Sequence, residues 1–247
     1  MRSLKELMDL RSRVAVVTGA GGYIGFMAAE TLAELGAHIV LLDINKAKCD
    51  ENANNLTRKY RVKTLSLKVD LTKENLIRSV PSRVLKNFGS IDILVNCAAL
   101  PGTAGLKGWA VEFDKQNADS WRKALEVNLT SIFVLIQSCK KALAASGSGS
   151  IINIGSIYGI VGPDMKLYKG TAMGNPAAYS ASKGGLIQLT RYLAAVLAPD
   201  IRVNAISPGG VFRNHKEPFL SRYVERTPLK RMAKEEDLKG AVAYLAS

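Results

Sequence analysis

The segment TGAGGYIG spans residues 18–25 and places four glycines directly behind the apolar run at residues 14–17. An apolar run followed by closely spaced glycines is typical of a buried strand that turns sharply into a helix at the first crossover of a doubly wound sheet. The N-terminal amides of such a helix can bind a pyrophosphate. The segment therefore predicts a dinucleotide site, although a purely structural turn would have a similar composition.

The spacing of these glycines differs from the common dinucleotide fingerprint. Ile24 stands where G-x-G-x-x-G requires its third glycine, whereas Gly19, Gly22 and Gly25 fit G-x-x-G-x-x-G. Gly19 would permit the tight turn, Gly21 and Gly22 would let the backbone approach a phosphate, and Gly25 would let the helix pack closely on the sheet. The predicted cofactor-binding residues of the loop are Gly19, Gly21, Gly22, Tyr23 and Ile24.

Short β-branched runs alternate with longer amphipathic segments along the rest of the chain, as in a parallel sheet with helices on both faces. The strands are predicted at residues 13–18, 37–43, 62–69, 91–96, 150–155 and 201–206, and the helices near 24–35, 46–60, 73–88, 119–145, 177–198 and 234–246. The strands are nearly continuous in apolar residues, which suits a sheet buried on both faces. We expect residues 1–247 to form one α/β domain.

Composition excludes several other classes of protein. The formal net charge is +13, but Lys and Arg are scattered without interleaved aromatics, so we expect no nucleic-acid partner. No segment reaches the roughly 18 apolar residues of a membrane span and the N-terminus lacks a secretory signal, so we expect a cytoplasmic protein with no membrane contact. Cys49, Cys97 and Cys139 are far apart and are expected to be reduced, buried thiols, with no metal site.

Asp43 indicates which dinucleotide binds. It ends the second predicted strand, 18 residues beyond Gly25. A carboxylate there can accept hydrogen bonds from both hydroxyls of an adenosine ribose and would repel the 2′-phosphate of NADP. We therefore predict NAD rather than NADP. Alternatively, Asp43 could cap the helix that starts near Lys46, although Asn45 is better placed for that.

The motif YSASK, residues 179–183, is typical of the short-chain dehydrogenase/reductase family. The chain resembles the compact members of this family over nearly its whole length. A lone Tyr-x-x-x-Lys would mean little, and the resemblance depends on an ordered set of motifs. These are TGAGGYIG, Asp43, Val69-Asp70-Leu71, Asn96-Cys97-Ala98-Ala99, Asn128, Ser156, YSASK and IRVNAISPGG at 201–210. The resemblance implies a Rossmann fold, an NAD(P)-dependent oxidoreductase with a small-molecule substrate, and a homodimer or homotetramer.

The resemblance also implies further cofactor contacts. Taken singly, Asp70 could be a helix cap, Asn96 a hydrogen-bonding residue at the end of a strand, and Pro208-Gly209 a plain turn. The implied contacts are Asp70 and Leu71 at the adenine, Asn96 and Ala98 in the channel beyond the fourth strand, and Pro208, Gly209 and Val211 beside the nicotinamide carboxamide.

The chemistry is expected at Tyr179 and Lys183, which lie four residues apart on one face of a predicted helix. Tyrosine has a pKa of about 10, and a neighbouring ammonium would lower it toward the range of a useful base. By the resemblance, Tyr179 is the general acid/base and Lys183 its electrostatic support, and both contact the cofactor. Ser156 would donate a hydrogen bond to the substrate oxygen, and Asn128 would hold a water that links Lys183 to solvent. The alternative for YSASK is an ordinary helix start.

Two features depart from the pattern usual in compact members of the family. Tyr23 stands where these members have Gly. The family normally continues beyond the position of Ser247 into a seventh strand, so that strand is expected to be missing from this chain, either because the sequence is truncated or because this member lacks it.

The segment 157–176 is a third departure, because it makes the spacing between Ser156 and Tyr179 longer than usual. Both of its ends are attached to predicted catalytic residues, so we expect it to hang over the nicotinamide end. The alternative is a long but inert loop. Its polar side chains that could hold hydroxyls or a phosphate are Asp164, Lys166, Tyr168, Lys169 and Thr171.

Together these features predict an NAD-dependent oxidoreductase that acts on a secondary alcohol or ketone of a sugar or nucleotide sugar. The loop and SPGG segments are similar to compact members of bacterial surface-sugar and flagellin-modification pathways. Three alternatives stay open: a 3-oxoacyl-thioester reductase, which would be expected to favour NADPH; an epimerase or dehydratase that uses bound NAD; and a non-catalytic dinucleotide sensor.

Overall fold

A six-stranded sheet forms the centre of the computed structural model, which describes residues 1–247. All neighbouring strands run parallel, in the order β3-β2-β1-β4-β5-β6. The order reverses between β1 and β4, so a crevice opens beyond the carboxyl ends of these two strands. The strands are β1 (Val14–Thr18), β2 (His38–Asp43), β3 (Thr64–Lys68), β4 (Ile93–Asn96), β5 (Gly149–Ile154) and β6 (Ile201–Ile206).

Ten helices accompany the sheet, and none of them combines the length and apolar character needed to cross a lipid bilayer. Side chains of α2, α3 and α10 form a core on one face of the sheet, and those of α4, α5, α7 and α8 form a core on the other. The helices are α1 (Leu4–Leu7), α2 (Tyr23–Glu34), α3 (Lys46–Tyr60), α4 (Glu74–Arg78), α5 (Val80–Phe88), α6 (Ala118–Leu125), α7 (Ser131–Ala145), α8 (Ala177–Leu197), α9 (Phe219–Arg226) and α10 (Lys239–Ala246).

Strand β1 shows why the apolar runs do not alternate with polar residues. Ala15 and Val17 pack into the core on the α2 side, whereas Val14 and Val16 pack into the opposite core. Successive side chains of a strand point to opposite faces, so a sheet covered on both sides needs apolar residues at every position.

The predicted strands agree with the observed ones to within two residues at each end, but two of the predicted helices are interrupted. The helix predicted at 73–88 is divided into α4 and α5, because Pro81 has no N–H to donate to the carbonyl of Ile77. The helix predicted at 119–145 contains a π-helical turn, Glu126–Thr130, between α6 and α7. Short helices α1 and α9 were not predicted, and a 3₁₀ turn at Glu235–Leu238 precedes α10.

Candidate active site

A cavity of about 1450 Å³ lies at the carboxyl ends of the strands, between the glycine loop and the segment that follows β6. It brings together most of the residues predicted from the sequence, and Gly21, Asn96 and Asn128 do not line it. The predicted residues that line it are Gly19, Gly22, Tyr23, Ile24, Asp43, Asp70, Leu71, Ala98, Ser156, Tyr179, Lys183, Pro208, Gly209 and Val211.

The turn at Gly19, directly after β1, packs against the segment directly after β4. Gly19 has a φ of +67°, and a Cβ built on it would lie 2.8 Å from the Cα of Ala98. Only glycine suits both the conformation and the space. The Thr18 hydroxyl oxygen accepts hydrogen bonds from the backbone N–H groups of Cys97 and Ala98, at 3.0 and 3.1 Å.

Helix α2 leaves room for a phosphate at its N-terminus. Gly22 precedes the helix and supplies no capping side chain, so the first-turn amides have no side-chain acceptor. A Cβ on Gly25 would lie 2.1 Å from the carbonyl oxygen of Gly19, so this glycine lets the helix approach the turn. This cradle fits a dinucleotide pyrophosphate, because its backbone is open and its helix N-terminus favours an anion.

Gly21 differs from the prediction that its backbone would approach phosphate. Its N–H donates to Oδ2 of Asp43 at 3.0 Å, so the amide is already used. The second oxygen of Asp43, Oδ1, accepts from the N–H of Asn45 at 2.9 Å. Asn45, not Asp43, caps α3, because its side chain accepts from the N–H of Lys48.

Asp70 lies on the cavity wall next to Leu71 and is not a helix cap, since α4 begins later, at Glu74. Its carboxylate accepts from the N–H of Thr72 at 2.9 Å and from the Thr72 hydroxyl at 2.8 Å. These two bonds, the backbone one first, lower the pKa of Asp70 below its ordinary value.

Asn96 is a correction to the sequence analysis, which placed it in the cofactor channel. The side chain is only 1% exposed, and its Nδ2 donates to Oδ1 of Asn153 at 2.8 Å, so it connects β4 to β5 beneath the cavity. Its own Oδ1 is buried without a protein partner. The neighbouring Cys97 was expected in the core but lines the cavity, and burial raises the pKa of its thiol to about 12.

Three polar side chains meet near the middle of the cavity. Ser156 follows β5, and Tyr179 and Lys183 lie one turn apart near the start of α8. The ammonium nitrogen of Lys183 is 5.9 Å from the centre of the Tyr179 ring and donates to the carbonyl oxygen of Ile154 at 2.6 Å. Lys183 is only 3% exposed, so this bond replaces only part of the hydration that its ammonium loses on burial.

Burial controls the ionisation of this pair. It lowers the pKa of Lys183 to about 8, because the charged form is poorly solvated. It also raises the pKa of Tyr179, and interaction with the Ser156 hydroxyl opposes that rise only partly. The sequence analysis predicted a lowered pKa for Tyr179. In this structure the loss of solvation at the phenol is the larger effect, and the Lys183 ammonium bonds to backbone.

Asn128 lies in the π-helical turn and is fully buried. Its Oδ1 accepts from the N–H of Leu100 at 2.7 Å, and its Nδ2 donates to the Ser182 hydroxyl at 3.1 Å. No hydrogen bond joins it to Lys183. In the structure Asn128 therefore bridges α8 and the segment after β4, and a water held between it and Lys183 stays a prediction.

Comparison with known proteins identifies the group to which this chain belongs. The family model described as enoyl-(acyl carrier protein) reductase matches residues 19–247. A solved short-chain type dehydrogenase/reductase from Mycobacterium marinum superposes with a TM-score of 0.86 at 26% identity, covering 100% of this chain and 92% of that one. The chain belongs to the short-chain dehydrogenase/reductase family.

Two curated members of the family align over nearly the full length of this chain. Cis-4-hydroxycyclohexanecarboxylate dehydrogenase of Sinomonas cyclohexanicum is 32% identical, over 95% of this chain and 89% of its own. A probable galactose dehydrogenase of Rhizobium meliloti is 33% identical, over 98% of this chain and 91% of its own. These similarities establish an oxidoreductase that acts on CH–OH groups.

Members of the family use nicotinamide dinucleotides as cofactors, and both NAD-dependent and NADP-dependent members occur. A glycerol dehydrogenase of Listeria innocua, 36% identical over 81% of this chain and 71% of its own, is NAD-dependent. A probable mannitol dehydrogenase of Yarrowia lipolytica, 29% identical over 100% of this chain and 85% of its own, is NADP-dependent.

The segment 157–176 forms part of the cavity wall. Tyr158, Tyr168 and Thr171 line the cavity, whereas Lys166 and Lys169 do not. Asp164 does not line it either, because its carboxylate forms an ion pair with Arg226 at 2.7 Å. Of the five polar residues singled out in this segment, Tyr168 and Thr171 therefore face the space where a substrate would lie.

The segment after β6 also lines the cavity and contacts the segment 157–176. The carbonyl oxygen of Pro208 accepts from the N–H of Ile157 at 3.1 Å, and Val211 pairs with Ala233 in an isolated parallel bridge. The N–H of Gly210 donates to the hydroxyl oxygen of Tyr223 at 2.5 Å. Tyr158, Arg213 and Tyr223 also line the cavity and were not predicted, although the position of Tyr158 two residues after Ser156 was a usable signal.

Proposed function

We propose that this chain is an NAD-dependent dehydrogenase that interconverts a secondary alcohol and a ketone on a polyhydroxylated substrate such as a sugar or sugar derivative. One observation carries the proposal. Ser156, Tyr179 and Lys183 meet in the same cavity as the glycine cradle at the start of α2. Both a dinucleotide and a small alcohol fit in such a cavity.

The side chains divide the work as follows. The Tyr179 phenol takes or returns the proton of the substrate hydroxyl, and the Ser156 hydroxyl hydrogen-bonds the same substrate oxygen. Lys183, buried next to the phenol, favours its ionised form whenever its ammonium is charged. A nicotinamide dinucleotide, when bound, supplies the hydride acceptor or donor.

Asp43 favours NAD. A carboxylate has about four acceptor sites, so the two backbone N–H groups that it already binds leave room for two ribose hydroxyls. The cavity-lining residues next to Asp43 in the chain, Leu42 and Ile44, are apolar, and its carboxylate bonds to two backbone N–H groups rather than to a basic side chain that could hold a 2′-phosphate. An NADP site would place positive charge here instead.

The relatives named after galactose, glycerol and mannitol support a hydroxyl-rich substrate. A role in surface-sugar or flagellin modification stays a prediction from the sequence. The description of the matching family model favours a second candidate, the reduction of acyl thioesters. Asp43 opposes that candidate, because such reductases are expected to favour NADPH.

Substrate screening with a matched pair of variants tests the proposal. The full chain is assayed for NADH or NADPH formation with aldoses, polyols, nucleotide sugars and simple secondary alcohols. Tyr179→Phe is expected to lower kcat by about 10²- to 10⁴-fold while NADH still binds. Tyr192→Phe, an exposed position on the same helix, is the control and should keep full activity.

Two results would overturn the proposal. One is a Tyr179→Phe variant that keeps most of its activity. The other is a protein that retains its dinucleotide but forms no reduced cofactor with any compound, which would favour an epimerase or a dehydratase.

A further inference from the structure

Two phenols meet on the cavity wall beside the predicted catalytic residues. The Tyr168 hydroxyl donates to the Tyr158 hydroxyl, with 3.1 Å between the two oxygens. Tyr158 lies two residues beyond Ser156, and its backbone N–H donates to the Ser156 hydroxyl oxygen at 3.2 Å. Tyr168 comes from the segment 157–176, so the long spacing before Tyr179 is what allows the pair to form.

The hydrogen bonds of the pair leave donor and acceptor capacity directed at the cavity. Each phenol has one proton and can also accept. Tyr168 uses its proton on Tyr158, whereas the Tyr158 proton has no acceptor among the protein groups. Half-buried tyrosine hydroxyls usually find a partner. A ligand hydroxyl could accept from Tyr158 and donate to the free lone pairs of Tyr168.

Contacts with α9 and its neighbourhood hold the pair in place. The Tyr168 ring packs against Phe219, with 5.4 Å between ring centres. Leu167, the preceding residue, is buried in a small cluster with Phe219 and Met232. The ion pair between Asp164 and Arg226 ties the same segment to α9. Because these contacts position the phenols in advance, little side-chain freedom is lost when a ligand binds.

The surroundings of the pair are suited to a neutral group. The neighbouring Phe219 and Tyr223 carry no charge, and the carboxylate of Asp164 is paired with Arg226. The Thr171 hydroxyl is already used, because it donates to the carbonyl oxygen of Tyr168 at 2.8 Å. The cavity-lining cations Arg213 and Lys216 bond to neither phenol, and a hydroxyl needs only the two phenols.

We propose that Tyr158 and Tyr168 form a subsite that binds a second hydroxyl of the substrate, next to the one that reacts, and so select vicinal diols over simple secondary alcohols. The inference deepens the proposed function and rests on it. The two phenols act on substrate choice, and the proton transfer remains with Tyr179.

The test compares a vicinal cyclohexanediol with cyclohexanol as substrates of the full chain with NAD. The wild type is expected to favour the diol. Loss of one neutral hydrogen bond corresponds to about 0.5–1.5 kcal/mol, so Tyr158→Phe should lower the ratio of kcat/KM for the diol over cyclohexanol by about 2- to 10-fold. Tyr168→Phe should lower the same ratio, and the double variant should lose less than the product of the two effects, because the phenols act as a pair.

A binding measurement makes the result independent of turnover. The diol and cyclohexanol are each titrated into the NADH complex of Tyr179→Phe, and NADH fluorescence reports binding. The diol should bind more tightly than cyclohexanol, and the double variant with Tyr158→Phe should bind the two compounds equally. Tyr244→Phe, at a 72% exposed position, should change neither measurement.

Two results would overturn the subsite. One is a ratio of kcat/KM for the diol over cyclohexanol that is unchanged in both Tyr158→Phe and Tyr168→Phe. The other is equal binding of the diol and cyclohexanol to the NADH complex of Tyr179→Phe alone. Failure of the proposed function is recognised separately, because it appears as retained activity in Tyr179→Phe.

Discussion

The guanidinium of Arg213 lies 4.3 Å from the centre of the Tyr23 ring, across the mouth of the cavity. Tyr23 is the first residue of α2, and Arg213 belongs to the segment that follows β6. Arg213 is also held by Glu235, with 2.5 Å between Nη1 and Oε1. The contact therefore joins the start of α2, where the phosphate cradle lies, to the segment after β6. Its aromatic partner, Tyr23, stands where compact members of the family usually have glycine.

We expect this contact to slow the release of the dinucleotide. A cation–π contact at an exposed site is worth about 0.5–1 kcal/mol, so Tyr23→Ala should raise the NADH dissociation rate by about 2- to 5-fold. Stopped-flow displacement of NADH measures that rate. Tyr23→Phe keeps the ring and should release NADH at the wild-type rate. Equal rates for the Ala and Phe variants would show that the ring is irrelevant.

Asp43 should control the choice between NAD and NADP. Asp43→Asn keeps the size of the side chain but removes the charge that strengthens hydrogen bonds to ribose and repels a 2′-phosphate. A charged acceptor is worth roughly 1 kcal/mol more than a neutral one, so the dissociation constant of NADPH divided by that of NADH should fall by about 5-fold or more. Fluorescence titration with NADH and NADPH measures this ratio.

Glu51→Gln provides the control for a general change in electrostatic field. It removes the same charge from an exposed position of α3 that does not line the cavity. An equal shift in both variants would refute a specific role for Asp43.

Local patterns allowed both ends of the cavity to be predicted from the sequence. The glycine turn belongs to one strand and one helix, and Tyr179 and Lys183 share a single helix, so spacing places each set on one local element, and the resemblance to the family implies the roles of its residues. The contact between Tyr23 and Arg213 could not be predicted in this way, because the partners meet only when β6 and the segment after it are in position. The pairing of Tyr158 with Tyr168 likewise depends on how segment 157–176 packs against α9.

Asn96 and Asn128 show a different limit of sequence analysis. Both were identified by the motifs around them, but the direction of each side chain depends on the tertiary structure. Asn153 on the adjacent strand holds Asn96 below the cavity. The π-helical turn around Asn128 shifts the helical phase by about one residue, and an apolar periodicity over this length cannot detect such a shift.

Gly25 should be intolerant of even one added methyl group. A Cβ there would lie 2.1 Å from the carbonyl oxygen of Gly19, so Gly25→Ala must push α2 away from the turn. We expect a loss of about 1–3 kcal/mol in the free energy of unfolding, measured by urea denaturation, together with weaker NADH binding. Gly240→Ala is the matched control, because it is also helical and nothing lies within 4 Å of the added carbon. That variant should be neutral or more stable by up to about 1 kcal/mol.

The buried ammonium of Lys183 predicts a pH dependence of stability with a definite sign. Its pKa is lowered from 10.5 to about 8 by burial, so between these two values the unfolded chain binds the proton and the folded chain does not. Stability rises with pH wherever the unfolded state binds more protons. The free energy of unfolding of the wild type, relative to Lys183→Met, should therefore increase as the pH rises from about 8 to 10.5 and stay level below that range. Urea denaturation of both proteins across this range measures the difference, which cancels the titration of other groups. A difference that falls with rising pH would mean that Lys183 is stabilised in its charged form, and the pKa of its ammonium would then lie above 10.5.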